Sequence, residues 1–424
     1  MAALPGVLAW MKTSFVKILF LHSLVDPDRG GGAEVIVWEQ MRGLRDAGHD
    51  CVLLATSDQP GLERSEREGI TVWQAGIRNV YWPYHKKRPT APWRMLWHAV
   101  DSYNPWMQGY LRNVVARERP DVASVHNLPG WSAASWVSLT RLGVPAVQVL
   151  HDYYPICVKA SMYKQGRNCT GQCAGCRVFR LPHRALSRKL AAVVGVSRFM
   201  LDRHRALGYF EGVPVQRVIH NARAPQALGV NDQPPSEAHQ GLRFGFIGRL
   251  DPSKGIEPLI AAFLAADLPE AELWIAGGGK QEYEQHLQGL VREPRIRLLG
   301  RQRPADFYPQ VDVVVVSSLW NDNLPGVVFE ALAFGKPVIA SRRGGIPEMI
   351  RHGENGLLFE PDAPGELQAA LVSMQDETLR VRLTAQARPS SAPFMDMARW
   401  IGEYEALYCE VRAGPMRTRQ QEEV

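Results

Sequence analysis

No apolar run in this 424-residue chain approaches the roughly eighteen to twenty residues that a bilayer-crossing helix needs. The opening stretch, Met1 to Trp10, lacks the basic start and long apolar segment of a secretory signal peptide. The chain is therefore expected to stay in the cytoplasm. Also missing is any helix-turn-helix, zinc-finger or RNA-binding pattern to accompany the net charge of +6, which argues against a nucleic-acid partner. The glycine-rich turn Arg29-Gly-Gly-Gly-Ala-Glu34 lacks a third glycine at dinucleotide-fingerprint spacing, so a nicotinamide enzyme is disfavoured. Asp26-Pro-Asp28 superficially matches a metal-binding D-x-D, but its place in the first loop favours a plain turn, and no catalytic divalent ion is expected.

What is present is an alternation. Short runs rich in Val, Ile and Leu trade places with longer helical patterns along the whole chain, which predicts parallel sheets covered by helices. Strands are expected at Val16 to His22, Cys51 to Ala55, Val122 to His126, Ala146 to Leu150 and Ala192 to Val196. A second set is expected at Leu242 to Ile247, Glu272 to Ala276, Ile296 to Leu299, Val311 to Val316 and Pro337 to Ala340. The Pro- and Gln-rich stretch between them shows neither period and reads as a linker. The expected organisation is an α/β chain: a doubly wound domain over 1–221, a linker over 222–240 and a second doubly wound domain over 241–393. Residues 394–424 follow a break at Pro389 and Pro393; they form a helix that packs back across the first domain and then a frayed tail.

Open parallel sheets bind ligands outside their strands' carboxyl ends, so the loops there carry the candidate chemistry. Gly31 and Gly32 let backbone amides approach an anion at a helix start. Gly248-Arg249 and Lys254 sit on the turn after a strand, where two cations are placed to hold a diphosphate whose charge grows as it leaves. The segment from Ser317 to Ala331 delivers a loop carboxylate, Asp322, and, from a helix opened by Pro325 and Gly326, a second one, Glu330.

Taken together these segments resemble the family-4 glycosyltransferases, retaining enzymes of the GT-B fold. The family's G-R-x4-K-G turn stands as Gly248-Arg249 through Lys254-Gly255, and its E-x7-E element falls on Asp322 through Glu330. Its G-G-x-P-E segment is Gly344-Gly-Ile-Pro-Glu348, followed by Asn355-Gly-Leu-Leu-Phe359; in the first half Gly31-Gly32-Ala33-Glu34, His126-Asn127 and His151-Asp152 match. The resemblance implies a metal-independent hexosyltransferase-type enzyme that moves a sugar from a nucleotide-diphosphate donor to a surface-glycan or polyprenyl-linked acceptor. By that resemblance Arg249 and Lys254 bind the donor diphosphate and Glu330 the ribose. Gly31, Gly32, Gly248, Asp322 and Gly326 join them on the donor. His126, Asn127, His151 and Asp152 lie on the acceptor side, with His151 beside the reacting centre. Asp322 departs from the family's glutamate by one methylene. A nucleotide-sugar epimerase of the same architecture and a non-catalytic sugar-nucleotide-binding protein are the rival readings.

Two features lie outside that pattern. Cys157, Cys169, Cys173 and Cys176 cluster in one loop, where structural zinc, an iron-sulfur centre, disulfides and free thiols all remain open. Aromatics such as Trp82, Trp93 and Trp106 are interleaved with Arg78, Lys87 and Arg94. That mixture suits an anionic membrane surface, sugar stacking or core packing, and places the chain peripherally at the inner face of the cell membrane.

Overall fold

The computed structural model describes residues 15–25, 32–84, 89–230 and 239–414. In chain order the first ten strands are β1 (Lys17–Leu21), β2 (Asp50–Ser57), β3 (Leu62–Arg67), β4 (Ile70–Gly76), β5 (Val122–Val125), β6 (Ala146–Leu150), β7 (Tyr163–Lys164), β8 (Arg167–Asn168), β9 (Ala192–Gly195) and β10 (Val215–Val218). The remaining six are β11 (Arg243–Ile247), β12 (Glu272–Ala276), β13 (Ile296–Gly300), β14 (Val313–Val316), β15 (Val338–Ser341) and β16 (Gly356–Phe359). Eight of them form one sheet in the order β10-β9-β6-β5-β1-β2-β4-β3, six form a second in the order β13-β12-β11-β14-β15-β16, and β7 and β8 make a separate hairpin.

All pairings in the second sheet are parallel, as are those in the first apart from β3 with β4. Parallel strands buried on both faces read as continuous apolar runs, which is why Lys-Ile-Leu-Phe-Leu of β1 and the four valines of β14 stand out in the sequence. β3 is the opposite case. Its Leu-Glu-Arg-Ser-Glu-Arg is almost wholly exposed and pairs antiparallel at the sheet edge, where charged side chains discourage further strand addition. No hydrophobic pattern announces it.

Each sheet reverses its strand order once, between β1 and β5 in the first and between β11 and β14 in the second. These are the switch points at which doubly wound sheets open a crevice for ligands. The C-terminal helices differ from the expected break. Helix Glu377–Met395 runs through both Pro389 and Pro393 and packs on helix Gly326–Ala333. The chain turns only at Asp396, whose carboxylate accepts from the Arg399 amide and starts helix Met397–Ala413. A proline inside a helix removes one hydrogen bond and bends the axis without obliging it to end. The last helix packs on helix Gly32–Asp46 and β5, with Tyr404, Leu407 and Tyr408 buried. The architecture is thus two Rossmann-like halves joined by a long bent C-terminal helix pair, the GT-B arrangement expected from the sequence.

Candidate active site

The loop after β11 carries Gly248, Arg249 and Lys254. A short helical turn, Pro252–Lys254, is started by Asp251, whose carboxylate accepts from the Ser253 amide. Gly255 ends it at φ +69, and a Cβ there would lie 2.1 Å from the Ser317 carbonyl oxygen, so the loops after β11 and β14 touch through a backbone that only glycine allows. Lys254 Nζ lies 2.5 Å from Asp322 Oδ2 and stacks over the Trp320 ring at 5.5 Å. Asp322 also accepts from the Ser318 hydroxyl at 3.2 Å and its neighbour's amide, Asn323 N, at 3.1 Å. The sequence placed Lys254 and Asp322 at separate tasks; the fold pairs them. Arg249 stays exposed on the same loop.

Gly326 begins helix Gly326–Ala333, and Glu330 one turn on is buried. Arg223 Nη1 donates to Glu330 at 3.0 Å and Arg223 Nε donates to Glu39 at 2.9 Å, so one guanidinium joins carboxylates from the two halves. The Tyr308 hydroxyl donates to the second Glu330 oxygen at 3.3 Å. Burial pushes the Glu330 carboxyl up, against the pull of Arg223.

On the first sheet, His22, His126 and His151 stand at the carboxyl ends of β1, β5 and β6 and are all buried. His126 Nδ1 and His151 Nε2 are 2.8 Å apart, and His126 Nε2 is 2.9 Å from Ser124 Oγ. The Tyr408 hydroxyl donates to Ser124 Oγ at 2.8 Å and accepts from Gln40 Nε2 at 3.2 Å. Tyr408, Ser124, His126 and His151 thus form one continuous hydrogen-bonded chain. Burial first, then the neighbouring His22, lowers His151 to about 3, so this chain of groups is neutral at physiological pH. Asp152 accepts from the Tyr154 amide at 2.8 Å, and burial raises it to about 7. Asn127 is partly buried beside His126, and Gly32 opens helix Gly32–Asp46. Gly31 and Asp26-Pro-Asp28 lie outside the described residues.

The two sides meet. Asn323 Nδ2 donates to the His151 carbonyl oxygen, the Tyr153 hydroxyl donates to the Asn321 carbonyl at 2.7 Å, and Asn168 bridges Leu319 and Asn321. Glu348 accepts from the amides of Arg198 and Phe199 at 2.8 and 2.9 Å, capping helix Arg198–Arg205 of the other half. The fold therefore brings His151, Lys254 and Asp322 to one cleft.

Comparison with known proteins agrees with this geometry. The family described as glycosyl transferase 4-like domain matches residues 31–222, and the family glycosyl transferases group 1 matches residues 241–377. Together they cover every strand of both sheets except β1. This chain is a GT-B glycosyltransferase. A Klebsiella pneumoniae relative described as an uncharacterized 42.6 kDa protein in cps region is 26% identical over 79% of this chain and 88% of its own. Sucrose-phosphate synthase from Thermosynechococcus elongatus superposes with a TM-score of 0.74 at 19% identity, covering 94% of this chain and 99% of that one. Anabaena HepE in complex with UDP and glucose gives a TM-score of 0.65 at 20% identity, with 93% and 99% covered.

The cysteine loop of the glycosyltransferase joins β6 to helix Ala174–Phe179 and contains the β7-β8 hairpin. All four thiols are free; Cys157 and Cys176 are buried and Cys173 is exposed at the helix start. The Cys176 thiol beside it is the largest influence on Cys157, which sits at about 5. Among the described residues no group of three or more His, Cys, Asp or Glu is placed to hold a metal ion, so the four-thiolate ligand set expected as one possibility is not preformed. Sequence reasoning missed Arg223, Ser124 and Tyr408, which belong to no motif and reach the cleft residues only through folding. His22 could have been found, because it closes the first apolar run as His126 and His151 close theirs.

Proposed function

We propose that the glycosyltransferase transfers a sugar, with retention of configuration, from a nucleoside-diphosphate sugar to a surface-glycan or polyprenyl-linked acceptor. The observation that supports this is the contact between the strand-end loops of the two halves, where Asn323, next to the Lys254-paired Asp322, donates to the His151 carbonyl. HepE is described in complex with UDP and glucose, which supports a donor of that class. Arg249 and Lys254 bind the diphosphate, with Gly31, Gly32 and Gly248 offering close backbone approach, and Glu330 beside Gly326 takes the ribose hydroxyls. Asp322 holds the sugar. His126, Asn127, His151 and Asp152 line the acceptor side.

In the reaction the bond between the sugar's anomeric carbon and the diphosphate oxygen breaks, and the acceptor oxygen bonds to the same face. The acceptor proton passes to the departing phosphate oxygen. Arg249 and Lys254 stabilise the charge that develops there. A neutral His151 supplies a hydrogen bond at the reacting centre without a competing positive charge. No step uses a divalent ion, and no helix among the described residues is long and apolar enough to cross a membrane; the reading includes a peripheral site of action at the inner membrane face. It also includes a structural zinc drawn into the cysteine loop, where Cys157, Cys169, Cys173 and Cys176 would have to close on the ion. Metal content of protein purified under reducing conditions tests that part alone.

The main test is a thermal-shift panel of nucleoside-diphosphate sugars and free nucleoside diphosphates, followed by product analysis with candidate lipid-linked acceptors and by NMR of the new anomeric centre. An inverted product overturns the retaining step. Conversion of the donor sugar without acceptor overturns transfer itself.

A further inference from the structure

Three helical segments of the first half leave bulky apolar side chains exposed. Helix Ala91–Ser102 buries Trp97 and Asp101 and exposes Trp93, Met95 and Leu96 at 55%, 63% and 49%. Helices Ala174–Phe179 and Leu181–Leu186 likewise leave Val178 and Leu181 exposed at 69% and 63%, while Arg180 and His183 are wholly buried. The three are in contact: the Ser102 hydroxyl donates to the Phe179 carbonyl at 2.7 Å, and the first helix packs on both of the others. Inside, the Arg180 guanidinium lies 3.6 Å from Asp101 and over the Tyr154 ring at 4.0 Å without a hydrogen bond of its own, and the Tyr154 hydroxyl donates to Asp101 at 2.6 Å.

A surface helix of a soluble protein turns its apolar stripe inward and its charges outward. Here a second set of bulky apolar side chains faces outward, as in an element lying in a lipid interface. Charge supports a specific lipid. From Gly69 to Arg117 the only acid is the buried Asp101, and from Tyr153 to Leu201 there is none. Arg177 and Arg184 flank the exposed apolar residues and are themselves exposed, so the face presents grease and positive charge together.

We propose that the face formed by helices Ala91–Ser102, Ala174–Phe179 and Leu181–Leu186 seats the glycosyltransferase on an anionic lipid surface. Tyr154 links this face to the cleft, since its amide donates to Asp152 and its hydroxyl to Asp101. A lipid-linked acceptor lying in that surface would therefore meet the acceptor side of the cleft. The purpose of the face rests on the proposed function, but vesicle binding is read without sugar transfer, so the two fail separately.

The test uses the full chain with vesicles of phosphatidylcholine alone and of phosphatidylcholine mixed with phosphatidylglycerol, in flotation at low and high salt. Binding to the mixed vesicles, weakened by salt, is expected. The Trp93→Ser/Leu181→Ser double variant should lose about tenfold or more of that binding, and Arg177→Gln and Arg184→Gln about fivefold each. All should keep wild-type melting temperatures and nucleoside-diphosphate binding. Absence of binding to the mixed vesicles overturns the proposal, as does undiminished binding by the folded double variant. A concentration-dependent dimer in sedimentation that the double variant abolishes assigns the face to a second copy, and also overturns it.

Discussion

The pairing of Lys254 with Asp322 makes the division of labour in the cleft measurable. Their charged atoms are 2.5 Å apart and their side chains are only 18% and 8% exposed. Replacing Lys254 by Met leaves Asp322 with two donors, the Ser318 hydroxyl and the Asn323 amide. The stability cost should then be about 1–3 kcal/mol, below the figure for a fully orphaned buried charge. Turnover should fall by at least about 10²-fold, because a transition-state cation is lost. Asp322→Ala removes a charge-assisted hydrogen bond to the sugar worth about 1.5–3 kcal/mol, or about 10- to 150-fold in transfer, and frees Lys254 for the diphosphate. Binding of free nucleoside diphosphate should accordingly drop in Lys254→Met and hold steady in Asp322→Ala. Calorimetry with nucleoside diphosphate and with intact donor, beside denaturation of both single variants and the double, reads every arm. Were Asp322 merely the anchor of Lys254, the two single variants would weaken free nucleotide equally, and that outcome would refute the assignment.

Other expectations follow from the same geometry. Arg223→Met leaves Glu39 and Glu330 facing each other without their shared cation, so a loss of about 3 kcal/mol or more is expected at pH 8. The loss should shrink toward pH 5, as carboxyls already raised by burial take up protons; thermal denaturation across that range checks it. His22, His126 and His151 are held below the ordinary histidine value by burial, so the unfolded chain binds more protons than the folded one below about pH 6.5. Stability should fall on acidification by up to about 1.4 kcal/mol per pH unit for each group, and His151→Asn should flatten that slope in denaturation titrations. Gly344 sits at φ +57 with Asp322 O 1.8 Å from where a Cβ would stand; Gly344→Ala should therefore displace Asp322 and lower transfer more than it lowers free-nucleotide binding, measured by paired turnover and calorimetry.

Most strands with continuous apolar runs were legible because burial on both faces of a parallel sheet requires such runs, and β6 and β12 fall at their expected residues, whereas β4, β10 and the short buried β16 were not among the strands expected. The polar edge strand β3 was not legible, since it is held by pairing with β4 and not by a pattern of its own. The C-terminal turn was misjudged for a related reason. Proline chemistry alone favoured a break at Pro389 or Pro393, whereas packing on helix Gly326–Ala333 carries the bent helix through to Asp396.

By itself the sequence determined the fold class, the two-sheet plan and the residue types on the cleft loops, because each of those depends on local period, turn chemistry and short spacing. Only the tertiary structure decided who meets whom. Lys254 and Asp322 are 68 residues apart, Arg223 and Glu330 are 107 apart, and Tyr408 reaches Ser124 across 284. Those pairings arise where two switch points face each other and a C-terminal helix crosses between them, and no local pattern encodes a distance across a cleft. The same holds for the outward-facing Trp93 and Leu181. Their apolar character is plain in the sequence, but which side of each helix meets the core depends on neighbours that only the fold supplies, such as Arg180 beside Asp101.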